Sequence, residues 1–134
     1  MGYVQSGMMT TEVMRLIRIG YWKGPGALNW PDAKDFVDSR WNPNERDDVA
    51  SYLRHGMVAA AFMGFSKCRF CGKDNGSLEL TDGVYIWPEG LAHYVIDHDV
   101  RLPLRFVEHV YAMRDRIDAA SVDAEWWCRL RSPA

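Results

Sequence analysis

Cys68 and Cys71 with two residues between them, and His93 and His98 with four, form the pattern C-x2-C-x21-H-x4-H. Thiolates and neutral imidazoles are the donors that tetrahedral zinc takes, and these spacings fall in the range of paired zinc ligands. Hard cations such as calcium or magnesium would instead require carboxylate and carbonyl oxygens. Gly72, directly after the second cysteine, permits a tight turn in which backbone amides face the sulfurs. A redox role for Cys-x-x-Cys expects the motif to open a helix, whereas Gly72-Lys73-Asp74-Asn75-Gly76 blocks helical continuation.

Four protein donors fill a tetrahedral shell, and closed shells stabilise folds. Catalytic zinc usually keeps three protein ligands and a water. The pattern therefore predicts one structural Zn2+ and no catalytic residue. A zinc nucleobase deaminase is excluded, because His55 is followed by Gly56-Met57 instead of x-Glu, and Lys67 instead of proline precedes Cys68. Asp97, Asp99 and His109 are the groups that could turn such a centre into a metal-dependent hydrolase. Carboxylates beside ligating histidines more often orient the imidazole. His109 reads as a surface or partly buried histidine, with a fifth or substitute ligand as its alternative role. His55 reads as a cation at a helix C-terminus. Cys128, after Trp126-Trp127, reads as a small hydrophobe in the packing.

These residues need a scaffold, and the composition supports one. The chain has 134 residues, 48% apolar and 25% charged, with net charge −2. That suits one folded domain spanning residues 1–134, with 57–102 as the zinc-binding core and 1–10 open to disorder. Three cysteines cannot complete a disulfide framework, which favours metal chemistry in a reducing cytoplasm. The longest apolar run, Met57 to Met63, is far short of the roughly 20 residues that span a bilayer. No basic segment followed by an apolar one marks a secretory signal, and the match of Met1-Gly2 and Ser6 to a myristoylation pattern is set aside because bulky Tyr3 follows the glycine. Acidic and basic residues are interspersed throughout, so a basic footprint for nucleic acid is missing.

Hydrophobic spacing predicts a helix capped by Thr10 or Thr11 and carrying Val13, Leu16 and Ile17, a loop from Gly20 to Asn29, and a second short helix after Pro31 with Ala33, Phe36 and Val37. Asn42-Pro43-Asn44-Glu45 predicts a capped third helix ending at Arg54-His55-Gly56. Met57 to Phe65 has the length and character of a buried strand. Ser77 to Trp87, with Asp82-Gly83 at its centre, reads as a hairpin. Helices are expected after Pro88, through His98, and after Pro103, with Phe106, Val107, Val110, Met113 and Ile117 on one stripe. The fold class is α+β: a helical N-terminal part, a small antiparallel sheet with a zinc knuckle and hairpin, and C-terminal helices. Most of the six tryptophans should cover the core, with an exposed subset available to a partner.

Cys68 to Cys71 with Gly72, Glu79-Leu80-Thr81-Asp82-Gly83, Trp87 to Val95, His98 and Val100-Arg101-Leu102-Pro103 together resemble a group of small uncharacterised bacterial zinc-binding proteins. The resemblance covers roughly residues 52–110. It implies zinc ligands at the same four positions and a bacterial origin, but no activity. The expected function is a zinc-stabilised protein-interaction module, such as an immunity, antitoxin or adaptor protein. Its motives are the closed ligand set, the aromatic content and the cluster Asp32, Asp35, Asp38, Glu45, Asp47 and Asp48, which reads as a solvated face or one that meets a basic partner. A nucleic-acid-binding zinc-finger-like regulator is the alternative, weakened because Glu89 to Asp97 offers no Arg, Lys, Asn or Gln to read bases. A metal-dependent hydrolase is the second alternative. A protein partner is expected and a membrane is not; the oligomeric state stays open.

Overall fold

The structure, a computed structural model, describes residues 13–131. Thr10, Thr11 and the leader 1–10 lie outside that range. The chain is α+β, but its described N-terminal residues, 13–42, hold no α-helix, against expectation. Ile17–Arg18 form a short strand, β1, whose flanking amides donate from Ile17 to the Val84 carbonyl at 2.9 Å and from Ile19 to that of Ile86 at 3.0 Å. β-Branched residues fit a pleated surface, and a distant strand offers them partners that a lone helical turn cannot. The segment after Pro31 shortens to one 3-10 turn, Ala33–Phe36, capped by the Asp32 carboxylate accepting from the Lys34 amide at 3.0 Å. It stops there because Val37 bridges to Val100, and the Phe36 carbonyl accepts from the Arg101 amide at 2.8 Å.

Helix α1, Pro43–Arg54, begins as expected: the Asn42 side chain accepts from the Asn44 and Glu45 amides at 2.9 and 3.1 Å, and Pro43 occupies the first turn. The Glu45 carboxylate does not reach back to the cap amide but takes the Trp41 indole N–H. Val49, Ala50 and Leu53 form the buried face. His55 closes the helix with its Nδ1–H donated to the Ser51 carbonyl at 2.7 Å.

Strand β2, Met57–Ala61, is followed by the hairpin β3, Leu78–Thr81, and β4, Tyr85–Pro88. The sheet order is β1-β4-β3-β2, antiparallel throughout except for the parallel pairing of β1 with β4. The hairpin turn uses Gly83 at φ 93°, while Asp82 Oδ1 accepts from the Val84 and Tyr85 amides at 2.9 and 2.8 Å. Leu80, Tyr85 and Trp87 are buried beside α1, and the Trp87 indole donates to the Leu53 carbonyl at 3.1 Å. The expectation of a buried strand at Met57 to Phe65 is overturned. Among the described residues β2 is an outer strand, and Met57, Val58, Phe62, Met63 and Phe65 are exposed. An apolar run states what a strand prefers, not whether this chain supplies its cover.

Helix α2, Leu91–Asp97, buries Leu91, Ala92, Tyr94 and Val95. Contacts divide the chain into two compact units, Met1–Leu102 and Pro103–Ala134. The second holds α3, Leu104–Asp118, and the one-turn α4, Glu125–Cys128. Phe106, Val107 and Val110 are the buried residues of α3; the expected stripe fades at Met113, and Ile117 is exposed. Cys128 is also exposed, so it does not pack as a core hydrophobe. Trp22, Trp41 and Trp87 are buried, whereas Trp30, Trp126 and Trp127 are exposed.

Where α1 turns into β2, a Cβ on Gly56 would stand 2.7 Å from the Trp87 ring and 3.0 Å from Leu80 Cβ. Neither neighbour can yield, so Gly56→Ala should cost about 1–3 kcal/mol. Denaturant unfolding of the full-length chain measures it.

Candidate metal centre

The chain around Cys68 folds as a knuckle. Lys67 and Asp74 form a two-residue bridge closed by an ion pair at 2.8 Å. The Cys68 amide donates to the Lys73 carbonyl, and the Gly72 amide to the Cys68 carbonyl, both at 2.9 Å. Gly72 adopts φ 73°, the left-handed conformation that the sharp return requires. The Phe70 amide points at Cys68 Sγ at 3.4 Å, and the Lys73 amide faces Cys71. The amide aimed at Cys71 favours its thiolate, the form that binds a metal.

The second donor pair comes from α2, which carries His93 in its middle and His98 just past its end. Three links tie helix to knuckle. Asn75 Nδ2 donates to the Gly90 carbonyl at 3.1 Å, a closeness possible only because a side chain at Gly90 would overlap Asn75. Glu89 Oε1 accepts from the Ser77 and Leu78 amides at 2.9 and 3.2 Å, and the Tyr94 hydroxyl accepts from the Arg69 amide at 2.8 Å. Arg69 in turn donates from Nε to the Lys23 carbonyl at 3.2 Å, which holds the glycine-rich loop against the knuckle.

These constraints bring one donor atom from each of Cys68, Cys71, His93 and His98 within 4.8 Å of one another. The four lie close enough to hold a metal ion. Cys71 Sγ is 3.4 Å from His93 Nε2, so Nε2 is the nitrogen turned to the site. The opposite nitrogen, Nδ1, meets Asp97 Oδ2 at 2.7 Å, the carboxylate partner that fixes a ligating imidazole's tautomer and direction. His98 Nε2 is buried and has no hydrogen-bond partner in the protein. A buried imidazole nitrogen costs free energy unless something satisfies it, and a metal lone-pair bond would. The His98 ring stacks on Phe70, centroids 4.7 Å apart and planes 10° apart, which sets its orientation. Cys68 is buried and Cys71 exposed, so one edge of the centre meets solvent. The Lys73 amide, then hydrogen bonds from His93 and His98, lower the Cys71 thiol to about 6.

All four expected ligands thus converge, and all come from the first unit. His109 and Cys128 belong to the second unit and are not members of the group. Asp97 orients His93, as its i,i+4 place on the helix allows. Asp99 does structural work instead: at φ 54° it turns the chain out of α2, its carbonyl accepts from the Asp38 amide at 2.9 Å, and its carboxylate pairs with Arg46 at 3.4 Å. The sequence reading missed Phe70, Tyr94 and Arg69. Tyr94 does follow a ligand directly, but nothing in the chain before Arg69 marks its amide as needing a hydroxyl.

Comparison with protein-family models, with curated proteins and with solved structures finds no match to this chain.

The lowered thiol has a measurable consequence. A depressed value stabilises the native form fully above the ordinary thiol range, and that contribution is lost as pH falls from there through about 6. Chelator competition on metal-loaded protein should therefore show affinity falling steeply only below about pH 6, and a fall that already sets in near the ordinary thiol value of about 8.5 would contradict the geometry. Asp97→Asn should weaken metal binding roughly 10- to 100-fold while leaving one ion per chain, as read by competition with a coloured chelator.

Proposed function

We propose that the centre holds one Zn2+ and that the chain is a zinc-stabilised protein-interaction module of a bacterial cytoplasm, of the kind used by immunity, antitoxin or adaptor proteins. The closed set of two sulfurs and two nitrogens is the observation that carries the structural role. That donor set suits zinc, and four protein donors leave no position at which a water could be activated. The carboxylates nearest the centre are committed as well, Asp97 to His93 and Asp99 to the turn after α2. A hydrolase would need one of them free to move a proton.

A zinc-finger-like reader of nucleic acid finds less support. The helix that would enter a groove buries Leu91, Ala92, Tyr94 and Val95 and carries no Arg, Lys, Asn or Gln. Binding of protein is favoured by what the chain exposes. Trp126 and Trp127 stand 67% and 68% exposed, side by side on α4, with ring centroids 6.3 Å apart. Tryptophan pairs left in water are the residues most often buried at interface centres. Among the described residues no helix is long and apolar enough to cross a membrane.

The zinc role and the partner role separate experimentally. The hairpin and α2 bury their side chains in the core, but in the knuckle, residues 66–77, only Cys68 is buried, so there the metal supplies stability that burial does not. Cys71→Ser or a chelator should lower the melting temperature by on the order of 10 °C or more, whereas Cys128→Ser, at an exposed position, should change it little. For the partner, Trp126→Ala with Trp127→Ala should leave the melting temperature of the full chain nearly unchanged yet reduce capture of a stoichiometric protein from the source cells at least about tenfold. Capture that survives both substitutions would place the interface elsewhere.

A further inference from the structure

The segment Gly56 to Ser66 reads Gly-Met-Val-Ala-Ala-Ala-Phe-Met-Gly-Phe-Ser, with neither charge nor proline, in a chain one quarter of whose residues are charged. It forms β2 and the arm that follows. β2 pairs only with β3, through Met57 with Thr81, Val58 with Leu80, Ala60 with Glu79 and Ala61 with Leu78. Its other edge has no partner strand among the described residues. The Phe62 amide still reaches the Ser77 carbonyl at 2.9 Å, so the arm is held in place and continues the edge towards the knuckle.

Natural edge strands are usually guarded by lysine, proline or inward charge, because bare backbone donors and acceptors invite another strand. The one device here is a bulge between Val58 and Ala60, which twists the strand without placing a charge on it. Beside this edge Met57, Val58, Phe62 and Phe65 are 60–65% exposed and Met63 is wholly exposed. At about 200 Å² for a large side chain, these five leave on the order of 700 Å² of side-chain surface in water. Met57 and Val58 project to opposite faces of the strand, and Phe62, Met63 and Phe65 lie along its arm, so this surface flanks the edge on both faces; in total it approaches the roughly 800 Å² each partner contributes to a standard interface.

We propose that the free edge of β2 is a homodimer interface, in which β2 of a second copy pairs antiparallel to it and joins two four-stranded sheets into one. Two features select a copy of this chain over a foreign strand. A charge-free edge offers a charged partner nothing to pair with, whereas the same segment meets itself with no like charges opposed. The strand is also self-complementary in size, since an antiparallel copy centred on Ala59 sets bulky Met57 and Val58 against small Ala61 and Ala60. The interface is isologous and closed, so it ends at two chains. It rests on β2 and its arm, independently of the metal and of the tryptophan pair.

Light scattering coupled to size exclusion, run on metal-loaded full-length chain across the micromolar range, tests this. The expected result is a monomer–dimer equilibrium that Met57→Lys with Val58→Lys shifts at least about tenfold towards monomer, because the two-fold through Ala59 brings the added lysines of both copies close together on a strand pair that has no carboxylate to meet them. Both positions are exposed in one chain, so the doubly substituted protein should melt like the parent at a dilution where both are monomeric. Amide exchange at 57–61 should be slower in the parent dimer than in the variant. A parent that stays monomeric throughout, a dimer that ignores both lysines, or open-ended growth into polymers each overturns the proposal.

Discussion

Two segments distant in sequence meet at one point, where Cys68 and Cys71 face His93 and His98 with all four donor atoms inside 4.8 Å. Packing alone does not favour that arrangement. Two thiolates this close repel, and a buried imidazole nitrogen without a partner carries a desolvation cost. A metal cation between them would reverse both terms at once. The local architecture follows from holding the two pairs together: the left-handed Gly72, the bare Cα of Gly90 against Asn75, the Glu89 carboxylate on the Ser77 and Leu78 amides, and the Tyr94 hydroxyl under Arg69.

The centre was legible in the sequence because ligand chemistry restricts both residue type and spacing. Few other pressures place two cysteines and two histidines in that order. Helix α1 was legible for the same kind of reason, since Asn42-Pro43 is a local instruction that needs no distant partner, and Asp82-Gly83 marks the hairpin as plainly. What failed was whatever depended on remote chain. Leu16 and Ile17 fit a helical stripe until Val84 and Ile86 offer the chain a strand, and Val37 leaves its turn because Val100 is there to bridge it. Met57 to Phe65 was read correctly as a strand start but wrongly as buried. Nothing in an apolar run distinguishes cover supplied within the chain from cover supplied by another. Phe70 and Tyr94 escaped notice because aromatic residues serve the core almost everywhere, and only coordinates show a ring stacked on a ligand.

The residues that carry the sequence resemblance turn out to be joints. Glu79 gathers Arg18 and the Tyr21 hydroxyl, Thr81 Oγ1 donates to the Tyr85 carbonyl at 2.6 Å, Asp82 takes the Tyr52 hydroxyl at 2.6 Å, and Trp87 reaches Leu53. Burial raises the Tyr21 and Tyr52 hydroxyls above their ordinary range, with their carboxylate partners adding to it, so both stay neutral donors. A pattern made of turn, cap and ligand residues specifies a scaffold. It supports the reading of a platform that the metal stiffens and whose exposed apolar faces do the binding.

The coordination shell itself tests this most directly. X-ray absorption at the zinc edge, on protein purified without chelator, should show two sulfurs at about 2.3 Å and two imidazole nitrogens at about 2.0–2.1 Å, with no oxygen neighbour, and His98→Ala should remove one nitrogen. A shell with a water or carboxylate oxygen in the parent protein, a sulfur count other than two, or protein that carries no metal would contradict the closed structural centre.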